Sequence, residues 1–155
     1  MKRVKTKKPE SYIQRSYRAV LDPGSLVSSY ASIKDTDLHI LADQEVSELA
    51  QQLALQYRLQ IENYIQQNPE YGRALLPLSL DALPPPIVKE MYRAQISAGV
   101  GPMAAVAGVI AEYVGRGLLE SGCNEVLVEN GGDIYINRCQ DCTVAIFAGD
   151  SSLSM

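Results

Sequence analysis

The segment from Ser97 to Asn137, SAGVGPMAAVAGVIAEYVGRGLLESGCNEVLVENGGDIYIN, constrains the fold more than any other part of the chain. Its glycines fall where only a residue without a Cβ lets the backbone bend sharply or lie against a neighbour. Gly99 and Gly101 flank Val100 in a loop, and Pro102 then opens a helix. Met103, Val106, Ala107, Ile110, Val114 and Leu118 recur at helical spacing and predict one apolar stripe. Ala104, Ala105, Ala107, Gly108 and Ala111 keep this helix thin enough for close packing, and Gly122 marks its end. The alternation from Glu125 to Glu129 predicts a strand with Val126 and Val128 on one face and Leu127 on the other. Asn130-Gly131-Gly132-Asp133 turns the chain, and Ile134, Tyr135 and Ile136 start the next strand. A last strand is expected over 143–147.

Upstream, β-branched and aromatic residues alternate roughly over 12–20, and Asp22-Pro23-Gly24 supplies a turn. Residues 26–33 read as a return strand, Asp35 as the next turn and 38–41 as a third strand. Asp43 is the expected N-cap of a long amphipathic helix whose apolar positions are Val46, Leu49, Ala50, Leu53, Tyr57, Ile61, Tyr64 and Ile65. Asn68-Pro69 ends it. The connection 69–86 is rich in proline and leucine, too apolar for a free linker, and is expected to pack against the domain. Pro86 then opens a short helix to about Ser97, with Val88, Met91 and Ile96 as core positions. The order β-β-β-α-α-α-β-β-β predicts an α+β fold, an antiparallel or mixed β-sheet packed on helices, and there is no internal repeat.

At 155 residues the chain is one domain's worth, expected over 11–155 after a basic lead-in, 1–10, that reads as a mobile terminus. A net charge of −4 argues against nucleic acid as the main partner. No uninterrupted apolar run reaches the roughly 18 residues of a membrane span, and no signal-like apolar segment follows the basic start, so a cytoplasmic location is expected. Three cysteines make no disulfide framework. The ending VAIFAGDSSLSM stops directly after the last expected strand, which suggests a domain truncated at its C-terminus.

The chemistry is carried by backbone more than by side chains. The loop at 97–102 stands at a helix N-terminus and fits two readings, a phosphate site or a plain helix-to-helix corner. It is no Walker loop, since no Gly-Lys-Ser/Thr follows, and no dinucleotide fingerprint, since a helix precedes it. Asn130-Gly131-Gly132-Asp133 is a hairpin turn with two glycines, more than a type I′ turn needs, which points to close approach of a ligand or another backbone. Asp133 and Glu129 could bond a sugar hydroxyl or a flavin ring edge, or help hold Mg²⁺. Cys139-Gln140-Asp141-Cys142 fits an inert reduced loop, a redox pair, or half of a metal site with only Cys123 and His39 left to complete it. His39 reads as an ordinary sheet residue, and no nucleophile elbow supports a triad.

Residues 97–137, together with the AGDSSLS ending, resemble the ApbE-like superfamily. More narrowly they resemble its short uncharacterised branch, in which an AGVGPMAAVAG-type loop and helix precede VENGGDIY. The resemblance is close over 97–153 and extends to element order over 12–96. The better-known members are FAD:protein FMN transferases, which bind FAD and Mg²⁺ and move FMN onto a Thr or Ser hydroxyl. The resemblance implies that Gly99 and Gly101 lie in the loop facing a flavin nucleotide, FAD or FMN, and that Asn130, Gly131, Gly132 and Asp133 close over it. Transferases follow their first glycine loop with a Lys-Gly-Tyr/Phe-type segment and an Asp; here the segment is Pro102-Met103-Ala104-Ala105-Val106-Ala107, which counts against FMN transfer. The branch is also linked to homocysteine formation in anaerobic microbes, alongside iron–sulfur partner proteins, and relatives form dimers. A flavin-type ligand pocket is therefore the first expectation. A non-catalytic assembly partner in sulfur assimilation, using the leucines of 75–83, is the second, and a CxxC redox protein the third.

Overall fold

The computed structural model describes Arg18, residues 23–79 and residues 83–145. The chain divides into two compact units, Met1–Gly24 with Asp141–Met155, and Ser25–Gln140. The expected lead-in and the strand over 12–20, apart from Arg18, lie outside the described residues, as do Ile146 and Phe147 of the last expected strand. Thr143, Val144 and Ala145 are described and belong to no strand.

In Ser25–Gln140 four strands form one antiparallel sheet in the order β1-β2-β3-β4. They are β1 (Val27–Ile33), β2 (Thr36–Ala42), β3 (Val126–Asn130) and β4 (Asp133–Asn137). Between β2 and β3 come α1 (Ser47–Gln67), α2 (Pro86–Ala98) and, after one 3-10 turn at Pro102–Ala105, α3 (Val106–Glu120). The fold is α+β, as the sequence predicts, and the sheet is antiparallel throughout. Strand side chains alternate between faces. Ala31, Leu38, Ile40, Ala42, Val126 and Val128 therefore share one buried face, and α1 and α3 cover it.

Glycine lets α3 approach β4 closely. Gly108 and Gly115 are seven residues apart, two turns, and so share a helix face. Asp133 and Tyr135 are two apart on β4 and share a sheet face. A Cβ on Gly115 would overlap the Tyr135 ring, one on Gly108 would stand 3.5 Å from Asp133 Oδ1, and one on Gly117 would stand 2.9 Å from Leu53 Cδ1 of α1. The 19 residues 102–120 are long and apolar enough for a membrane span by length and composition. Here Val109, Ile110, Ala111, Val114 and Leu118 are buried within the unit, which makes this its core helix.

Three local expectations are corrected. α1 starts at Ser47, beyond the expected cap at Asp43. Its first turn is served by Glu45, which accepts the Ser47 N–H at 2.9 Å, while buried Ser29 accepts the Val46 N–H at 3.1 Å. Asp43 instead accepts both the backbone N–H and the side-chain amide of Asn124, at 3.1 and 2.7 Å, bonds that hold its carboxyl below its usual range. A lowered folded-state value means that this tie stabilises the fold above the ordinary carboxylate range and is lost as pH falls through the lowered value. Ile96 is exposed, because the buried stripe of α2 runs through Ile87, Val88, Met91, Tyr92 and Gln95, and position 96 is rotated off it by about 100°. The connection after α1 buries Tyr71 but leaves Leu75, Leu76 and Leu83 in solvent.

Tyr71 packs edge-on against Tyr64 and beside Tyr92, at ring-centroid distances of 5.0 and 5.2 Å. Among the described residues its buried hydroxyl has no hydrogen-bond partner, and burial pushes the phenol well above its ordinary value. Tyr71→Phe removes an unsatisfied polar group without opening a cavity, and is expected to raise stability by up to about 1 kcal/mol in urea unfolding. Two neighbouring glycines should respond differently to alanine. Gly99 adopts φ 69° with open space around its Cα, whereas a Cβ on Gly101 would overlap the Ala74 carbonyl oxygen. Gly99→Ala should cost about 1 kcal/mol and Gly101→Ala about 3 kcal/mol or more, read from the same unfolding curves.

Candidate functional site

The two glycine motifs stand at different points of the 102–120 helical segment: Gly99 and Gly101 precede it, and the β3–β4 tip is hydrogen-bonded to it at Ala107. α2 ends at Gly99, whose N–H donates to the Gln95 carbonyl at 2.8 Å. Gly101 is buried and donates its N–H to the Leu75 carbonyl at 2.9 Å, so it is the packed side of the corner. Gly99 is exposed, and among the described residues no atom lies within 4 Å of where its Cβ would be. Gly101 thus packs into the corner after α2, while Gly99, its N–H bonded to the Gln95 carbonyl, presents no side chain to solvent.

On the other side stands the β3–β4 hairpin. Asn130 pairs with Asp133 across a two-residue turn in which Gly131 has φ 65° and Gly132 φ 106°. A type I′ turn requires positive φ at both central residues, so backbone conformation accounts for both glycines, contrary to the expectation that one was in excess. Around Gly132 no atom of the described residues stands within 4 Å of a Cβ position. The turn is held from two sides. Buried Asn130 donates Nδ2 to the Ala107 carbonyl of the first turn of α3 at 3.0 Å, and Glu129 Oε1 accepts the Gly132 N–H at 2.8 Å. Asp133 is exposed, with its carboxylate beside Gly108. From Pro102 to Ala107 the helical rise is roughly 10 Å, so Gly99 precedes the helical segment and the tip Asn130–Asp133 is docked about that far along it.

Behind the tip lies a polar array on β1, β2 and β3. On the sheet face away from the helices, His39 of β2 is the register partner of Glu129 of β3 and of Tyr30 of β1. His39 is buried; its Nε2 lies 2.7 Å from Ser28 Oγ, and its ring stacks on Tyr30 at 4.7 Å with the planes 7° apart. The available signal was period-two phase: Leu38 and Ile40 face the core, so His39 must face away with Asp37 and Leu41.

The CxxC motif follows β4 in the chain. Cys139 and Cys142 are exposed free thiols, and Cys123 is buried, accepting a hydrogen bond from Gln44. Glu125 clamps the start of the motif, pairing with Arg138 at 3.1 Å and accepting the Cys139 N–H at 3.2 Å. Among the described residues no three His, Cys, Asp or Glu are grouped to hold a metal ion. A cleft of about 430 Å³ beside Lys89, Glu90, Arg93 and Tyr113 includes none of the glycine-motif residues.

The sequence pattern of the family described as AbpE bacteria matches residues 18–155. The chain belongs to that family. Similar proteins include a UPF0280 protein of Methanococcus maripaludis, 40% identical over 124 residues, which are 79% of this chain and 50% of that one. UPF0280 proteins of Methanococcus aeolicus and Methanothrix thermoacetophila are 36% and 37% identical over 130 residues, 83% of this chain and 52% and 55% of theirs. The chain thus spans about half the length of the curated relatives it matches.

Asn130→Ala removes the hydrogen bond that ties the hairpin tip to the Ala107 carbonyl of α3. It should cost about 1–2 kcal/mol of stability and speed amide hydrogen exchange at Gly131 and Gly132 relative to β2.

Proposed function

We propose that this AbpE-family chain binds a flavin nucleotide, or a ligand of the same phosphate-bearing kind, where the β3–β4 tip meets the start of the 102–120 helical segment. One observation carries the reading: the Asn130 amide bonded to the Ala107 carbonyl, which fixes an open glycine turn and the exposed carboxylate of Asp133 beside a helix start. The helix dipole favours anions at such a start, and Gly99 and Gly132, whose N–H groups are bonded within the chain, admit a ligand without displacing a side chain. The likeness of AGVGPM and VENGGDIY to ApbE-like motifs supports the same choice of ligand.

Within this reading the helix start receives phosphate, and Asp133 accepts a hydrogen bond from a sugar or ring group. Mg²⁺ fits only as a shared ion. Asp133 offers one carboxylate, and Glu129 is engaged by its own turn. Such ions are commonly held by one or two carboxylates together with substrate phosphates. FMN transfer is left out of the proposal, because 102–107 carries neither Lys nor Asp.

Titration of the chain with FAD and FMN, with and without Mg²⁺, followed by flavin fluorescence, tests the reading. Saturable binding is expected, about tenfold weaker in Asp133→Ala, which corresponds to the loss of one charge-assisted contact. Absence of saturable binding at millimolar ligand sinks it. A second reading, an assembly partner in sulfur-amino-acid metabolism, is favoured by the exposed leucines after α1; its mark would be a stable protein complex in a chain that ignores flavins.

A further inference from the structure

The sheet face away from the helices carries a base and a nucleophile in contact. Ser28 and Tyr30 of β1 stand opposite Leu41 and His39 of β2. The four side chains form a square, because alternate residues of a strand share a face and register partners stand side by side. Within it His39 is buried and Ser28 is exposed. The Ser28 hydroxyl lies 2.7 Å from Nε2 of the imidazole. Burial of the base and exposure of the serine put the nucleophile on the side from which a reagent arrives.

The imidazole is held for this contact. The Tyr30 ring stacks on it at 4.7 Å with the planes 7° apart. Its register partner on the other side is Glu129 of β3, which is 8% exposed. Glu129 is itself held by the Gly132 N–H, which it accepts at 2.8 Å. A buried carboxylate across the ladder favours the imidazolium, the form the ring takes on removing a proton. A hydroxyl, a base within hydrogen-bond reach and a group that orients the base are the arrangement that activates a serine.

We propose that Ser28 is a nucleophile activated by His39, and that it takes an acyl group from an activated ester. With the ring proton on Nδ1, the Ser28 hydroxyl donates to Nε2. Ser28 Oγ attacks the ester carbonyl carbon as its proton passes to Nε2. The bond from that carbon to the leaving oxygen then breaks, and the leaving alcohol takes the proton from the imidazolium. Water, activated by the same base, hydrolyses the serine ester and releases the acid. The acyl group is apolar, because Tyr30, 53% exposed, and half-buried Leu41 flank Ser28 on this face. The inference uses neither Gly99 nor Asp133 and stands whether or not a flavin binds.

A fluorophosphonate probe tests it, since an activated serine displaces fluoride from phosphorus and keeps the phosphonyl group. The folded 155-residue chain is treated with the probe, and peptide mass spectrometry locates the label. Ser28 should be labelled, and para-nitrophenyl butyrate should be hydrolysed. Ser28→Ala, a change at an exposed position, should remain folded by circular dichroism and lose both activities. His39→Gln should slow labelling about a hundredfold, the usual worth of a general base. The wild-type chain unfolded in urea supplies a control that needs no variant. An unlabelled Ser28 in the folded chain overturns the proposal. So does labelling no faster than in urea, or equally fast in folded His39→Gln, either of which leaves the pair a hydrogen bond of the sheet face.

Discussion

The close approach of α3 to β4 underlies the rest of the unit. An ordinary helix surface would hold Tyr135 and Asp133 away from the helix axis by the length of a side chain. Gly115 removes that obstacle under the Tyr135 ring, and Gly108 removes it beside Asp133. The gain is dense packing between helix and strand in a region otherwise poor in large side chains. The cost is helix propensity, roughly 1 kcal/mol per glycine, which the apolar contacts of Ile110, Val114 and Leu118 offset. The same proximity brings the hairpin tip to the first turn of α3, so packing and site geometry have a common cause.

Much of this was legible from periodicity and punctuation. Proline and glycine marked the ends of α2 and α3, period two marked β3, and Asn130-Gly131 marked the hairpin. The sequence could also name Gly99, Gly101 and Asn130–Asp133 as special, because unusual backbone demands unusual residues. It could not say which demand each one met. Gly101 meets a steric demand set by Ala74, twenty-seven positions earlier in the chain, and local pattern holds no trace of such a contact. Gly131 and Gly132 meet a conformational one.

Other features were hidden for similar reasons. Gln95 looks like a surface residue by type, yet it lies in the buried stripe of α2 because its amide replaces backbone pairing for the strap at Leu78. Ile96 looks like core by type and is exposed by phase. Asp43 has cap chemistry but sits too early, and its carboxylate serves the distant Asn124. His39 became notable only when register placed it beside Ser28 and Tyr30 and opposite Glu129. Each case turns on tertiary partners far away in sequence, which propensity and spacing do not encode.

The short β3–β4 turn has a mechanical consequence. Its two glycines set the register of the pair, and β4 carries Asp133 and Tyr135 on a single face. A slip of one residue would send both to the opposite side of the sheet. Asp133 therefore cannot drift along the rim while Tyr135 stays seated over Gly115. The tip behaves as a lever whose short arm is locked in the core, and its large excursions are tied to the cooperative opening of helix and sheet instead of to the loose motion expected of a surface loop.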